Sequence, residues 1–155
     1  MEGRKVSDSA TVVSQLMLPT DANPSGNVHG GTIMKLVDTV GGVVAVRHCR
    51  QHVVTARIDE MSFLHAVYVG DLVTLRASIN GVGRTSMEVG VRVEAENLRT
   101  GEVTHTATAN LVYVALDEDG RPMEVPRLIP ETEEDRRRME EARNRRERRE
   151  RHHLQ

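Results

Sequence analysis

The sequence of 155 residues is poor in aromatic side chains and in cysteine. It contains one Phe, two Tyr and no Trp, which leaves almost nothing on which nucleotide bases could stack. Cys49 is the only cysteine, so neither an intrachain disulfide nor a cysteine zinc site can form. We therefore expect no binding of single-stranded nucleic acid, and a core built from Val, Ile, Leu, Ala and Met.

Long apolar runs and an excess of one charge are missing as well. The first ten residues lack the apolar segment of a signal sequence, and no later stretch of about 18 apolar residues could span a membrane. Lys and Arg number 21 against 23 Asp and Glu, so general affinity for nucleic acid is not expected. These absences predict a soluble, cytoplasmic protein with neither a membrane nor a nucleic-acid partner.

The C-terminal end carries a dense mixture of both charges. Residues 131–155 contain nine Arg and eight acidic residues. Acidic residues stand four positions before basic ones, as in Glu133 and Arg137, a spacing that favours a helix. Because Met139 and Ala142 are nearly its only apolar residues, we predict a solvated or frayed helix here. Binding of a partner or of nucleic acid is the alternative interpretation.

Hydrophobic spacing in the first 130 residues indicates a strand, a helix and then four strands. Ala10–Leu18 is a short apolar run before Pro19, and Thr32–His48 is apolar almost all round the helical wheel, which predicts a helix buried on all sides. Its β-branched residues also permit a strand, but its length favours a helix. Period-two alternation and turn residues then predict the strands Val53–Ser62, Leu72–Asn80, Arg84–Asn97 and Glu102–Leu116, with a hairpin turn at Asn80–Gly83.

These elements predict an α+β fold in which a curved antiparallel sheet wraps around one long buried helix. We place this domain at residues 8–128 and the charged helical tail at residues 129–155.

A polar loop followed by the apolar helix is the most informative segment. Gly30 and Gly31 would bring free backbone N–H groups to the helix N-terminus, which attracts a negative oxygen. Asp38 lies seven residues beyond Gly31, about two turns, and is the only acidic residue of the helix. Since an unpaired carboxylate is costly in an apolar environment, spacing alone leaves a functional and a structural role for Asp38 equally open.

Other motifs exclude some chemistries. Gly81 and Gly83 join two predicted strands and do not open a helix, so they are no dinucleotide-binding fingerprint. His48, His52 and the histidine pair near the C-terminus lack further ligands at suitable spacing, and no metal site is predicted.

The segment Asp21–Asp38, with the sequence DANPSGNVHGGTIMKLVD, resembles the signature of the hot-dog-fold acyl-CoA thioesterases, and in particular the cytosolic acyl-CoA hydrolase group. The similarity covers roughly residues 10–135 and includes Thr55–Arg57, Arg84–Val89 and Tyr113–Leu116. The resemblance implies a hot-dog fold and the hydrolysis of fatty acyl-CoA thioesters to free acid and CoA. It implies neither a metal nor an organic cofactor.

The resemblance also implies a catalytic site that two subunits share. Asn23 of the loop and Asp38 of the helix would face each other across a dimer interface. Asp38 would act as a general base or as a nucleophile, and Asn23 would orient the water or the carboxylate. The backbone N–H of Gly31 would hold the oxyanion.

Four further residues are candidates for binding CoA, namely Gly30, Arg84, Thr85 and Ser86. For Arg84, a contact with a CoA phosphate and an ordinary position at the surface are equally open. The resemblance implies homodimers with sheets joined edge to edge, assembled into a hexamer as a trimer of dimers. The alternative functions are a non-catalytic acyl-CoA-binding regulator and a hot-dog hydratase.

Overall fold

The computed structural model describes residues 1–153 and has two helices among its first strands, a run of five strands after them and a third helix at the end. The elements are β1 (Arg4–Lys5), α1 (Val6–Ser9), β2 (Thr11–Leu16), α2 (Gly30–Cys49), β3 (His52–Phe63), β4 (Leu72–Val82), β5 (Ser86–Glu96), β6 (Val103–Leu116), β7 (Leu128–Ile129) and α3 (Glu133–His153), with a short 3₁₀ turn at Pro19–Asp21.

Five strands form one antiparallel sheet in the order β2-β4-β5-β6-β3. Helix α2 packs against all five of these strands. The predicted α+β arrangement of a long helix held by an antiparallel sheet is confirmed, and each predicted strand is found within two residues of its predicted ends.

The core lies between α2 and the concave face of the sheet. Alternate residues of β5, from Met87 to Ala95, point into it, as the period-two pattern predicts. Val37, Val40 and Val44 of α2 pack from the other side and are likewise buried. Full burial of such an aliphatic side chain contributes roughly 1.5–3 kcal/mol, so this layer provides much of the stability.

The prediction that α2 is buried on all sides is wrong for the single chain. Met34, Val43 and Val46 are exposed, each at 40 % or more of its surface. A sheet covers only one side of a helix, so Val43 and Val46 stay exposed on the side away from the sheet. Met34, on the other side of the helix from Val43, is exposed near the N-terminus of α2.

The predicted hairpin turn at Asn80–Gly83 is displaced. β4 continues through Val82, and the turn is made by Gly83, Arg84 and Thr85. The register of β4 against β5 shifts between Ile79 and Gly81, and the extra residue allows the strand to continue.

The C-terminal tail is helical, as predicted, but the prediction that it is solvated is wrong. Helix α3 lies across β4 on the convex face of the sheet, where Ala142 is 3 % exposed. A Cβ atom on Gly81 would lie 3.0 Å from the Cβ of Ala142, so the absence of a side chain at Gly81 lets the helix approach closely. The two apolar residues of the tail therefore suffice for packing, because Met139 also contacts the core. His152 lies in the helix, and Leu154 and Gln155 lie outside the described residues.

The N-terminal segment is part of the same body. Arg4 and Lys5 pair in parallel with Leu128 and Ile129, and Val6 is buried in the core. The division into a domain at 8–128 and a tail at 129–155 stays a prediction.

The two edges of the sheet differ in length and regularity. β2 is an edge strand of six residues, and β3 is an edge strand of twelve. The register of β3 against β6 shifts twice, between Thr55 and Arg57 and between Asp59 and Ser62. No helix in residues 1–153 is long and apolar enough to cross a membrane.

Candidate active site

The polar loop before α2 is folded by its own side chains. The backbone N–H of Asn23 donates to the carbonyl of Asn27, and the Oδ1 atom of Asn23 accepts the N–H of Ser25 at 3.0 Å. Gly26 completes the turn at φ +89°, a conformation that favours glycine. The loop thus fixes Asn23, a half-buried residue, as the first residue of a tight turn.

The loop ends at the N-terminus of α2, where free donors collect. Gly30 and Gly31 begin the helix, and in the part of the chain that the structure describes their N–H groups donate to no backbone acceptor. A Cβ atom on Gly31 would meet nothing within 4 Å, so this end of the helix is open. It can accept a negative oxygen on its N–H groups.

Asp38 lies two turns into α2, on the side that faces β3 and β6. Its Oδ1 atom accepts a hydrogen bond of 2.7 Å from the hydroxyl of Thr55 and lies 3.0 Å from the hydroxyl of Tyr113. The same tyrosine hydroxyl lies 2.8 Å from the backbone carbonyl oxygen of Asp38. Thr55 and Tyr113 are direct register partners on β3 and β6.

Tyr113 is the most buried polar contact of this carboxylate. Its side chain is 1 % exposed. Burial, the charge of Asp38 and the hydrogen bond to it raise the pKa of Tyr113 well above its ordinary value, so the phenol stays a donor at neutral pH.

The candidate CoA-binding residues at the β4–β5 turn lie apart from Asp38 and make no hydrogen bond to it within residues 1–153. Arg84 has a side chain that is 79 % exposed, with only a 3.4 Å ion pair to Glu124. The carbonyl of Thr85 accepts the N–H of Ala115, and Ser86 begins β5. Among residues 1–153 no group of three His, Cys, Asp or Glu side chains is placed to hold a metal ion.

Residues 25–102 match the thioesterase superfamily. The chain belongs to this family. An acyl-CoA thioester hydrolase of Bacillus subtilis is 41 % identical over 134 residues, which are 86 % of this chain and 78 % of that protein. A mouse cytosolic acyl coenzyme A thioester hydrolase is 38 % identical over 93 % of this chain and 38 % of its own length.

Solved structures of thioesterases share the whole fold. An apo-hexameric acyl-CoA thioesterase is 40 % identical and superposes with a TM-score of 0.93, covering 98 % of this chain and 97 % of its own. An acyl-CoA hydrolase of Staphylococcus aureus, solved with butyryl-CoA, CoA and CoA disulfide, is 30 % identical with a TM-score of 0.89, covering 97 % and 92 %. The predicted hot-dog fold is thereby confirmed.

The staphylococcal enzyme was also solved with alanine in place of one asparagine, one aspartate and one threonine. In that chain the asparagine precedes the aspartate by 15 residues, and the aspartate precedes the threonine by 17.

The structure of this thioesterase-family chain brings only some of the predicted residues together. Gly30, Gly31 and Asp38 share one helix, whereas Asn23 forms no hydrogen bond with Asp38 within residues 1–153 of a single chain. Sequence reasoning assigned no role to either hydroxyl that holds Asp38. One signal for Tyr113 was present, because it carries the one polar group in an alternating set of buried residues that otherwise consists of Ala107, Ala109, Leu111 and Ala115.

Proposed function

We propose that the protein is an acyl-CoA thioesterase that hydrolyses fatty acyl-CoA to free acid and CoA, with Asp38 at the reacting centre. The observation that carries this proposal is the position of the half-buried Asp38 carboxylate. Two hydroxyl groups from the sheet contact it, and the N-terminal N–H groups of its own helix have no backbone acceptor in residues 1–153. Membership in the thioesterase superfamily and the names of the relatives support it.

The spacing of three residues gives further support. Asn23, Asp38 and Thr55 follow each other at intervals of 15 and 17 residues. These are the intervals between the residues replaced by alanine in the staphylococcal enzyme. We therefore add Thr55 to the proposed catalytic group.

The chemistry follows from these groups. As a general base, Asp38 takes a proton from a water molecule whose oxygen attacks the thioester carbonyl carbon. The N–H of Gly31 stabilises the oxyanion of the tetrahedral intermediate, which collapses as the C–S bond breaks and the CoA sulfur takes up the proton. As a nucleophile, Asp38 itself attacks the carbonyl, the C–S bond breaks and CoA leaves as the thiolate. Water then hydrolyses the resulting anhydride, which releases the acid, restores the Asp38 carboxylate and supplies the proton that the thiolate takes up.

Asn23 is proposed to reach this carboxylate from a second copy of the chain. Within one copy the side-chain oxygen of Asn23 is engaged with Ser25, and no hydrogen bond joins Asn23 to Asp38 in residues 1–153. β3, which carries Thr55, is an edge strand with exposed Val54 and Ile58, so a second copy can pair with it. We propose a homodimer formed in this way.

We propose that three such dimers assemble into a hexamer. A solved acyl-CoA thioesterase that is 40 % identical to this chain is hexameric. The exposed apolar side chains of Val43 and Val46 on α2 supply further surface to cover. A cytoplasmic location is part of the same proposal.

Gly30, Arg84, Thr85 and Ser86 are proposed to bind CoA. The Arg84 guanidinium is well exposed and only weakly engaged, so it is free to contact a phosphate. Replacement of Arg84 by Ala should raise KM for acyl-CoA by about 2- to 5-fold, the size of an exposed ionic contact, with kcat unchanged. Arg99→Ala, in an exposed turn, is the control and should leave both constants unchanged.

A thiol-release assay with acyl-CoA esters from acetyl to palmitoyl tests the activity. Asp38→Asn keeps size and hydrogen bonding but removes the base, so kcat should fall by about two orders of magnitude or more with the fold intact. An unaltered kcat would remove Asp38 from the mechanism. Binding of acyl-CoA without thiol release would favour the regulator, and hydration of an enoyl-CoA would favour the hydratase.

A further inference from the structure

We infer that Tyr113 is a positioning residue whose hydroxyl, together with that of Thr55, holds the Oδ1 atom of Asp38 and leaves Oδ2 as the reacting oxygen. The inference rests on the proposed thioesterase function and adds to it a residue and the choice of oxygen.

The contact of Tyr113 fixes the conformation of Asp38 at two points. Its hydroxyl lies 2.8 Å from the backbone carbonyl oxygen of Asp38 and 3.0 Å from Oδ1. Because one hydroxyl contacts both the backbone and the side chain of the same residue, it restricts the rotation of the carboxylate about the Cα–Cβ bond. A purely structural tyrosine would need only one of these acceptors to satisfy its hydroxyl.

Thr55 approaches the same oxygen atom from the neighbouring strand. Its hydroxyl donates to Oδ1 at 2.7 Å. Immediately after Thr55 the register of β3 shifts, and such an irregularity redirects side chains locally. The Thr55 hydroxyl and the Tyr113 hydroxyl, whose single proton is shared between Oδ1 and the carbonyl oxygen of Asp38, therefore converge on Oδ1 from paired positions on β3 and β6.

The other carboxylate oxygen is left for chemistry. In the described part of the chain, Oδ2 of Asp38 has no hydrogen-bond partner, and the residue is half-buried. An oxygen that accepts two hydrogen bonds is a poorer base and nucleophile than one that accepts none. Hydrogen bonds to Oδ1 thus select Oδ2 as the atom that takes the proton or attacks the carbonyl.

The fold reserves space for this tyrosine. A Cβ atom on Gly41 of α2 would collide with the Tyr113 hydroxyl and lie 3.1 Å from Cζ, whereas one on Gly42 would lie 3.8 Å from the ring. Gly41 thus leaves the gap through which the phenol reaches the carboxylate one turn earlier in the helix.

Steady-state kinetics of Tyr113→Phe test the inference. Tyr68→Phe is the control, because it also removes one phenol hydroxyl, but from an exposed residue. The phenylalanine ring still fills the space beside Gly41, so the melting temperature should stay close to that of the wild type. We expect kcat to fall by about ten-fold or more, the worth of one hydrogen bond to a charged group, with KM within about two-fold. Tyr68→Phe should change neither constant. A kcat of Tyr113→Phe equal to that of Tyr68→Phe would overturn the inference while leaving the thioesterase activity in place.

Carbon-13 nuclear magnetic resonance of labelled tyrosine provides a second measurement that needs no activity and no variant of Tyr113. In Tyr68→Phe, residue 113 is the only tyrosine, so the Cζ signal reports it alone. Asp38→Asn in that background changes the acceptor beside the phenol, and the Cζ signal should then move. Identical signals with Asp38 and with Asn at position 38 would show that the contact is absent and overturn the inference. Absence of thiol release by the wild type, with the signal moved as expected, would instead overturn the proposed function.

Discussion

Two adjacent glycines of α2 have different surroundings. A side chain at Gly41 would meet the hydroxyl of the buried Tyr113, whereas Gly42 is bordered only by an ordinary contact of 3.8 Å. Glycine in a helix is otherwise a disadvantage of about 1 kcal/mol relative to alanine. Glycine is therefore required by tertiary packing at position 41, whereas at position 42 only the intrinsic helix propensity of the residue matters.

Alanine at these two positions should have opposite effects. Gly42→Ala is expected to raise the unfolding free energy by up to about 1 kcal/mol, because helix propensity improves and nothing moves. Gly41→Ala is expected to lower it by about 1–3 kcal/mol through overpacking against Tyr113, and to lower kcat as well. Urea unfolding and the thiol assay measure both effects, and equal stability of the two variants would contradict the packing described.

His48 makes stability depend on pH. Its side chain is fully buried, Nε2–H donates to the carbonyl of Pro126 at 2.8 Å, and Nδ1 has no partner among the described residues. Burial, aided by the charge of Arg4, lowers the pKa of His48 below its ordinary 6.5, against the smaller raising effects of the hydrogen bond and of Asp8. The unfolded chain therefore takes up a proton first as the pH falls.

The unfolding free energy should accordingly decrease as the pH is lowered through 6.5, until the lower folded-state pKa is reached. Unfolding of His48→Gln at about pH 7.5 and about pH 5.5 should show a smaller decrease than the wild type. His52→Gln, which replaces an exposed histidine at the start of β3, should match the wild type. Equal decreases in all three proteins would exclude His48 as the source.

At the scale of elements, ion pairs as well as the packing of Ala142 hold α3 against the sheet. Arg145 forms two hydrogen bonds of 2.9 and 2.7 Å to Glu88 of β5, whose side chain is 4 % exposed. These hydrogen bonds raise the pKa of Arg145. Further along the helix, Arg149 bonds to Asp59 of β3 at 2.8 Å. The helix thus provides the counter-charge of a carboxylate that the sheet could not bury alone.

Loss of Arg145 should therefore cost far more than loss of a neighbouring arginine. Arg145→Met leaves the buried Glu88 with only the Asn80 amide at 2.9 Å and the Arg149 guanidinium at 3.9 Å, and it should lower the unfolding free energy by about 3 kcal/mol. Arg143→Met breaks only an exposed pair with Glu140 and should leave the unfolding free energy almost unchanged. Addition of Glu88→Gln to Arg145→Met should recover part of the loss. Equal losses for the two arginine variants, measured by urea unfolding, would show that the buried pair is not stabilising.

The sequence predicts elements whose signal is local and misses contacts between distant segments. The strict alternation from Met87 to Ala95 specifies β5 and its buried face without any other part of the chain. The docking of α3 depends on Ala142 meeting Gly81 and on Arg145 meeting Glu88, 57 residues away. Neither contact can be read from the pattern of one segment alone, so the few apolar residues of the tail predict a solvated helix.

The candidate site divides in the same way. Gly31 and Asp38 are seven residues apart on one helix, so the sequence alone predicts that they lie about two turns apart on it. The contact between Asp38 and Tyr113 spans 75 residues and depends on the register of β3 against β6. Sequence periodicity specifies the face of a strand but not the partner opposite each residue.

At the scale of the whole molecule, a site shared by two chains makes inactive variants complement each other. Asn23→Ala and Asp38→Ala should each be nearly inactive as homodimers. In a mixed dimer one site carries both changes and the other carries none. Random pairing makes half of the dimers mixed, so about a quarter of wild-type activity should return after co-refolding.

Native mass spectrometry establishes that mixed dimers have formed, and the thiol assay measures the recovery. If both residues came from the same chain, every site would retain one change and mixing would restore nothing. That outcome, with mixed dimers present, would contradict the shared site while leaving the assignment of Asp38 to be judged by its own variant.

The unequal lengths of the two edge strands, β2 and β3, affect whether copies of the chain form a closed dimer or an open polymer. A contact of β3 with β3 uses up the same edge in both copies and closes after two. A contact of β2 with β3 would leave one edge free at each end, and chains could add without limit, as in a fibre. β2 offers six residues to a strand of twelve, so the open-ended pairing leaves half of β3 uncovered, whereas two copies of β3 match in length. The length of β3 thus favours a closed pair over a polymer in a sheet with two exposed edges.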